Sequence, residues 1–322
     1  MMNVGFVIIG RNEGERLLRC LASLPPNCPV VYVDSGSSDG SCAAAQGHGA
    51  IVVSLDMSIP FTAARARNEG WRQLLASSPS TEYVQFLDGD CQLDSDWVAS
   101  AHDFLRQSQD YAVACGRRRE TQPHASIYNT LCDIEWDTPI GDAKACGGDA
   151  LMRASALVAV GGYNDGLIAG EEPELCVRLR ATGYKIRRLD HEMTLHDAAM
   201  TRFKQWWKRN VRSGFAYANG AALHGAPPER HWVKETFRAC LWGGVLPLAI
   251  ICGVLLGYPA VALVLFIYPL QWYRLTKAAP RKAVAKQWSA FMVLSKFAEF
   301  QGVVQFCYKR MLGQTATLIE YK

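Results

Sequence analysis

The stretch Tyr83-Val84-Gln85-Phe86-Leu87-Asp88-Gly89-Asp90-Cys91 constrains this chain more than any other. An apolar run rich in β-branched and aromatic residues ends in two carboxylates separated by one glycine. It reads as a short buried strand. A central strand has no water along it, so Asp88 and Asp90 fall at its C-terminal lip, where an open α/β sheet binds its ligands. Two hard oxygen ligands there, with Gly89 letting the backbone come close, suit Mg2+ or Mn2+ carrying a diphosphate. The competing reading is a plain Asp-Gly turn after a strand.

The segments before it repeat the pattern. Val4 to Ile9 is an apolar run that ends in Gly10-Arg11-Asn12-Glu13, and Leu17, Leu18, Leu21 and Leu24 then recur at helical spacing. Pro25-Pro26 stops that helix. Val30 to Val33 is a second strand, ending in Asp34-Ser35-Gly36-Ser37-Ser38-Asp39-Gly40. Strand and helix alternate, so a doubly wound, mostly parallel sheet is expected, with its polar loops along one edge. Asp34 could accept a hydrogen bond from an imide N–H of a base such as uracil. Ser38 and Asp39 read first as helix caps.

Ala50 to Leu55 is a third strand, and a helix opens after Pro60. Arg65 and Arg67 stand two apart and so on different faces of that helix. One is expected in solvent and the other at a diphosphate, for which a guanidinium fork is suited. Arg117-Arg118-Arg119 follows a further strand, Tyr111 to Gly116. It reads mainly as a solvated edge, with anion binding as the alternative. Ile127 to Trp136 reads as a helix covering the site. Gly147-Gly148 implies either a close approach of backbone to ligand or only a tight turn. Glu171 and Glu172 precede Pro173 at a helix N-terminus, where the dipole favours the ionised carboxylate that a general base must be. Ordinary helix capping explains them equally well.

Taken in order, five pieces resemble the family-two glycosyltransferases with the GT-A fold. They are Val7-Ile8-Ile9-Gly10-Arg11-Asn12-Glu13, Val33 to Gly40, Ala66-Arg67-Asn68-Glu69-Gly70, Phe86 to Asp90, and Gly161-Gly162-Tyr163 with Gly170 to Leu175 and Arg178. The resemblance covers about the first two-thirds of the chain. It implies an inverting, metal-dependent transferase that uses a UDP- or GDP-sugar. It puts Gly10, Asn12, Glu13, Asp34, Arg65 or Arg67, Asp88 and Gly148 at the nucleotide sugar, and Asp88 and Asp90 at the ribose and metal. It makes Glu172 the catalytic base. Where the family usually has Glu-Asp, this chain has Glu171-Glu172, so Glu171 stays a rival. In relatives a histidine after the base helix can complete the metal shell, so His196, after the strand Tyr184 to Leu189, is the expected third ligand, with His191 as rival and a purely structural histidine as the alternative. Imidazole tilts the site toward Mn2+ over Mg2+.

The chain has 322 residues and a net charge of +4, too mild to argue for nucleic acid. Its 11 cysteines are scattered without a Cys-x-x-Cys pair, which reads as reduced thiols in a cytosolic setting. No cleaved signal peptide is expected. Residues 1–198 are expected to form the catalytic domain, 199–236 basic, aromatic interfacial helices, and 237–322 a hydrophobic hairpin plus an amphipathic helix.

From Met200 to Tyr217 five basic residues interleave with Phe203, Trp206, Trp207 and Phe215, as suits a membrane interface. Ala239 to Leu256 and Ala260 to Leu270 are nearly all apolar, each short for a span of roughly 20 residues. They read as a hairpin turning at Gly257 to Pro259, or as one kinked span. Basic flanks favour the hairpin, with the catalytic domain on the cytoplasmic side of the inner membrane. Ala283 to Leu312 reads as an amphipathic helix with Phe291, Leu294, Phe297, Phe300 and Val304 along one face, lying on the bilayer or pairing with a second copy. The expected reaction moves a single sugar to a hydroxyl of a lipid-linked or other saccharide acceptor. A polyprenyl-phosphate glycosyltransferase and a non-catalytic membrane-tethered sugar-binding or scaffold protein are the alternatives.

Overall fold

Nine strands share one sheet in the computed structural model, which describes residues 3–314 and 319. They are β1 (Val4–Gly10), β2 (Val30–Asp34), β3 (Ile51–Ser54), β4 (Tyr83–Asp88), β5 (Cys91–Leu93), β6 (Tyr111–Glu120), β7 (Gly141–Ala143), β8 (Ala150–Arg153) and β9 (Lys185–His196). Their order is β3-β2-β1-β4-β8-β6-β9-β5, with β7 on β9. β1 and β4 are central, and Phe6, Val7, Ile8, Phe86 and Leu87 are fully buried. That is why both read as unbroken apolar runs rather than alternating ones.

The parallel register sets the site. Gly10 lies beside Asp34, Ile9 beside Asp88, and Asp34 beside Ser54, so the loops after β1, β2, β3 and β4 leave the same edge. The expected parallel sheet holds from β3 to β4. Beyond β4 it is mixed: β8 is antiparallel to both neighbours, β6 and β9 are parallel, and β5 runs antiparallel to β9. Helices α1 (Glu15–Ala22), α2 (Ser41–Gly47), α3 (Ala63–Ser77) and α4 (Trp97–Gln107) follow the early strands. α5 (Ile127–Glu135), α6 (Ala154–Ala159) and α7 (Glu171–Ala181) come later.

The chain divides into two compact units. Residues 1–123 and 135–198 make the first, and residues 124–134 and 199–322 the second. α5, expected over the site, therefore belongs almost entirely to the second unit. Asp133 there pairs with Arg281 at 2.5 Å, and Tyr128 meets Phe291 edge to face.

The second unit is helical: α8 (Phe203–His224), α9 (Val233–Cys240), a π turn (Leu241–Val245), α10 (Leu246–Leu255), a 3-10 turn (Pro259–Phe266), α11 (Ile267–Ala278) and α12 (Ala285–Met311). The aromatic residues of α8 pack within this unit: Trp206 is buried against Phe291, and Trp207 donates to Gln301 at 2.8 Å. Only Phe203 is left well exposed. The stripe expected on α12 is not its buried face. Ser289, Ser295, Ala298, Glu299 and Gly302 are buried instead, while Val304 is 48% exposed. Small residues mark where two helix backbones meet. A Cβ on Gly302 would lie 2.0 Å from the Val211 carbonyl oxygen on α8, and one on Gly214 only 1.9 Å from that of Glu299. Gly302→Ala is expected to force the helices apart and lower stability by about 1–3 kcal/mol, the usual cost of overpacking. Thermal or denaturant unfolding reads this directly.

Val233–Leu255 runs on through the π turn and is long and apolar enough to cross a membrane. The chain then turns back at Gly257 (φ +87), and Val261 returns against Gly253. Leu255, Leu256, Leu263 and Phe266 are among the most exposed apolar residues described.

Candidate active site

α3 carries Arg67 to the sheet edge. Thr62 caps the helix by accepting from the Arg65 N–H at 3.1 Å. One turn on, Asn68 is fully buried and uses every side-chain hydrogen-bonding site. It donates to the Tyr163 carbonyl (2.8 Å) and Asp165 Oδ1 (2.6 Å), and it accepts from the Tyr163 N–H (2.9 Å) and Trp71 Nε1 (2.8 Å). This holds the Gly161-Gly162-Tyr163 turn against α3. Gly162 has φ +77, and a Cβ on it would lie 2.4 Å from Asn68 Oδ1, so the turn requires glycine.

Arg67 itself is 3% exposed and reaches three carboxylates. Nη1 lies 2.9 Å from both Glu171 Oε1 and Glu172 Oε1, and Nη2 lies 2.8 Å from Asp88 Oδ1. Burial works against this charge, but Glu172, Asp88 and Glu171 outweigh it and raise its pKa further. Arg65, the other candidate, turns away. It donates to the carbonyls of Ile59 (2.8 Å), Pro60 (3.0 Å) and Asp56, and so shapes the loop before α3.

Gly148 lies over this cluster. A Cβ there would sit 2.6 Å from Arg67 Nη2 and 3.2 Å from both Asp88 Oδ2 and Glu172 Oε1. The adjacent glycines thus permit a close approach of backbone to the arginine and its acids, and not merely a turn.

Asp90 follows one residue after β4 and immediately precedes β5. Pairing of β5 with β9 sets Cys91 opposite His196, which brings His196 Nε2 to 3.2 Å from Asp90 Oδ1. Ligand atoms of Asp88, Asp90, Cys91 and His196 lie within 4.8 Å of one another. Cys91 is a poor ligand for a hard cation. Burial and then Asp149 push its thiol pKa far up, and its Sγ lies 3.5 Å from Asp149 Oδ2. The other three offer two carboxylates and an imidazole, a donor set that suits Mn2+ or Mg2+. The buried Nδ1 of His196 has no hydrogen-bond partner, and Nε2 faces the Asp90 carboxylate. Burial raises the Asp88 carboxyl, but Arg67 and then Arg118 outweigh it and hold it below its ordinary value.

The first two loops are joined. Asn12, at φ +55, donates its N–H to Ser37 Oγ (2.8 Å) and accepts from the Ser38 N–H (2.8 Å). Asp34 is buried and accepts from the N–H groups of Gly36 (3.0 Å) and Ser37 (2.8 Å) and from Tyr32 Oη (3.2 Å). It braces its own loop at the sheet edge. Glu13 pairs with Arg16 at 2.8 Å and lies against Gly89 and Gly10.

Three residues outside the expected set complete the surroundings. β6 continues past Gly116 through Glu120, so the arginine run is not a solvated edge. Arg118 Nε donates to the fully buried Asp149 at 2.8 Å, and Nη2 lies 3.8 Å from Asp88 Oδ2. Trp136 packs edge-on to His196, centroids 4.7 Å apart, with Arg118 5.5 Å from a Trp136 ring centroid. The buried acid after Gly147-Gly148 and the tryptophan after α5 were the available signals.

The model of the glycosyl transferase family 2 domain matches residues 6–140. Residues 6–140 are a family-two glycosyltransferase domain. The chain is thus an enzyme, a glycosyltransferase of the GT-A fold with a helical region after it. The mannosyltransferase PcManGT from Pyrobaculum calidifontis, solved with GDP-Man and Mn2+, superposes with a TM-score of 0.66 at 17% identity, over 96% of this chain and 88% of that one. At that identity the likeness concerns the fold. Glucosyl-3-phosphoglycerate synthase from Mycobacterium tuberculosis gives 0.48 at 18% identity, over 70% of this chain and 80% of that one. S. aureus TarS gives 0.48 at 14%, over 96% and 92%.

Proposed function

We propose that this glycosyltransferase moves one sugar from a UDP- or GDP-sugar to an acceptor hydroxyl, with inversion. The observation that carries this reading is the constellation at the sheet edge. Asp88 and Asp90 offer hard carboxylates and His196 an imidazole on one side, and Arg67 holds Glu171 and Glu172 on the other, below the backbone of Gly148. A divalent cation held by Asp88, Asp90 and His196 would offset the charge of the nucleoside diphosphate leaving group.

Glu172 acts as the base. Burial, and then the adjacent Glu171, push its carboxyl up to about 7, against the pull of Arg67. A base with that pKa is half ionised at neutral pH and takes a hydroxyl proton effectively. The acceptor oxygen then attacks the anomeric carbon opposite the diphosphate, and the breaking C–O bond leaves its electron pair on the diphosphate. Glu171, only 4% exposed, serves better to hold Arg67 in place.

The exposed apolar arm Val233–Leu255 and the turn at Gly257 support attachment to a membrane, and the basic residues flanking the apolar segments favour the cytoplasmic side of the inner membrane for the catalytic unit. An acceptor carried on a lipid suits that location. In purified full-length enzyme, the matching nucleotide sugar is expected to raise the melting temperature only when Mn2+ or Mg2+ is present. A ligand that binds the folded state alone stabilises it. A panel of UDP- and GDP-sugars without any metal-dependent rise would sink the reading.

A further inference from the structure

A cavity of about 560 Å³ in the first unit is lined by Arg117, Arg119, Asp137, Arg188, His191 and Glu192, among others. None of these belongs to the constellation assigned to the sugar nucleotide. Two of the arginines have counter-ions in the wall. Arg117 Nε lies 3.4 Å from Asp137 Oδ1, and Arg119 makes two 2.6 Å bonds to Glu192. Arg188 differs. It is 3% exposed, its Nη1 donates to the Leu189 carbonyl, and its buried Nε has no hydrogen-bond partner. Among the described residues no carboxylate makes a direct salt bridge to it, though with Arg119 and Arg117 its charge helps hold the Glu192 carboxyl below its ordinary value. Asp190, also in the lining, is exposed.

A guanidinium stays charged at every accessible pH. Buried with no direct ion pair and an unpartnered Nε, it is costly. An oxyanion would meet this need, since a phosphate oxygen accepts from a guanidinium fork in a short, charge-assisted bond. We infer that this cavity binds a small phosphate group, anchored by Arg188. The group is either free phosphate or a phosphomonoester carried on a larger molecule. The inference does not depend on the assignment of donor, metal or base.

The test is thermal unfolding of the full chain in rising inorganic phosphate or methyl phosphate, at matched ionic strength. The wild type is expected to show a saturable rise in melting temperature. Arg188→Gln should lose that rise, yet melt no lower than the wild type without phosphate, because an unpaired buried charge has gone. Arg188→Lys keeps the charge without the fork and should bind at least about tenfold more weakly. Asp90→Asn, altered at the sugar-nucleotide site, should respond like the wild type. Tighter binding of methyl phosphate would point to a substrate-borne group, and tighter binding of inorganic phosphate to a free one. Equal responses in the wild type and both Arg188 variants would overturn the inference. So would no saturable response in the wild type, or a response lost in Asp90→Asn but kept in Arg188→Gln.

Discussion

Asp90→Asn is expected to lower sugar transfer about 10²–10³-fold and to erase stabilisation by Mn2+. The size follows from the several kcal/mol a Lewis acid supplies, at about 1.36 kcal/mol per tenfold in rate. Asparagine keeps the shape of the side chain, and the Asp90 carbonyl still accepts from the Asp197 N–H at 3.3 Å. The sheet should therefore survive, and the variant should melt close to the wild type without metal. What is lost is a hard anionic donor beside His196 Nε2, 3.2 Å away. Cys91→Ala is the control. Its thiol lies in the same cluster, but burial and Asp149 keep it protonated, so transfer and Mn2+ response should change little. If Asp90→Asn kept its Mn2+ response while Cys91→Ala lost it, the ligand set would be wrong.

The parts of the site that could be read in the sequence are those at the ends of parallel strands. Asp34 and Asp88 close apolar runs, and the β1–β2 and β1–β4 registers put both on the edge where such runs end. The pairing of Arg118 with Asp149 was not legible. They meet because β8 inserts antiparallel between β4 and β6, a long-range pairing that no local period encodes. Three arginines in a row look solvated, yet Arg117 is 3% exposed and only Arg119 lies well open. Arg65 and Arg67 were separable by face but not by role. The loop carbonyls that take Arg65 carry no signal in side-chain type. In α12 the aromatic spacing does not reveal where the helix packs most closely. A helix packed on several sides buries most deeply where backbones touch, and there the residues are small and nearly silent on a hydropathy scale.

Glu172→Gln is expected to cut transfer about 10²–10⁴-fold, the usual contribution of a positioned base. Donor binding should hold, since glutamine still offers an oxygen to Arg67 Nη1, now 2.9 Å from Glu172 Oε1. The effect should thus fall on turnover and not on donor affinity. The pH profile separates a base from a mere partner of Arg67. The carboxyl is raised to about 7 by burial and by Glu171, so wild-type transfer should fall as pH drops through about 7 and the base takes up its proton. Stability runs the opposite way. A raised carboxylate pKa means that the folded state favours the neutral form, so this group's stabilising contribution is complete below its ordinary value of 4.5 and is lost as pH rises through about 7. Glu172→Gln should remove both dependences, leaving residual transfer flat on the acid side and unfolding less sensitive to alkali. Glu171→Gln should loosen Arg67 but keep the acid limb, because Glu172 is still there to titrate. An acid limb that vanished only in Glu171→Gln would exchange the roles of the two carboxylates.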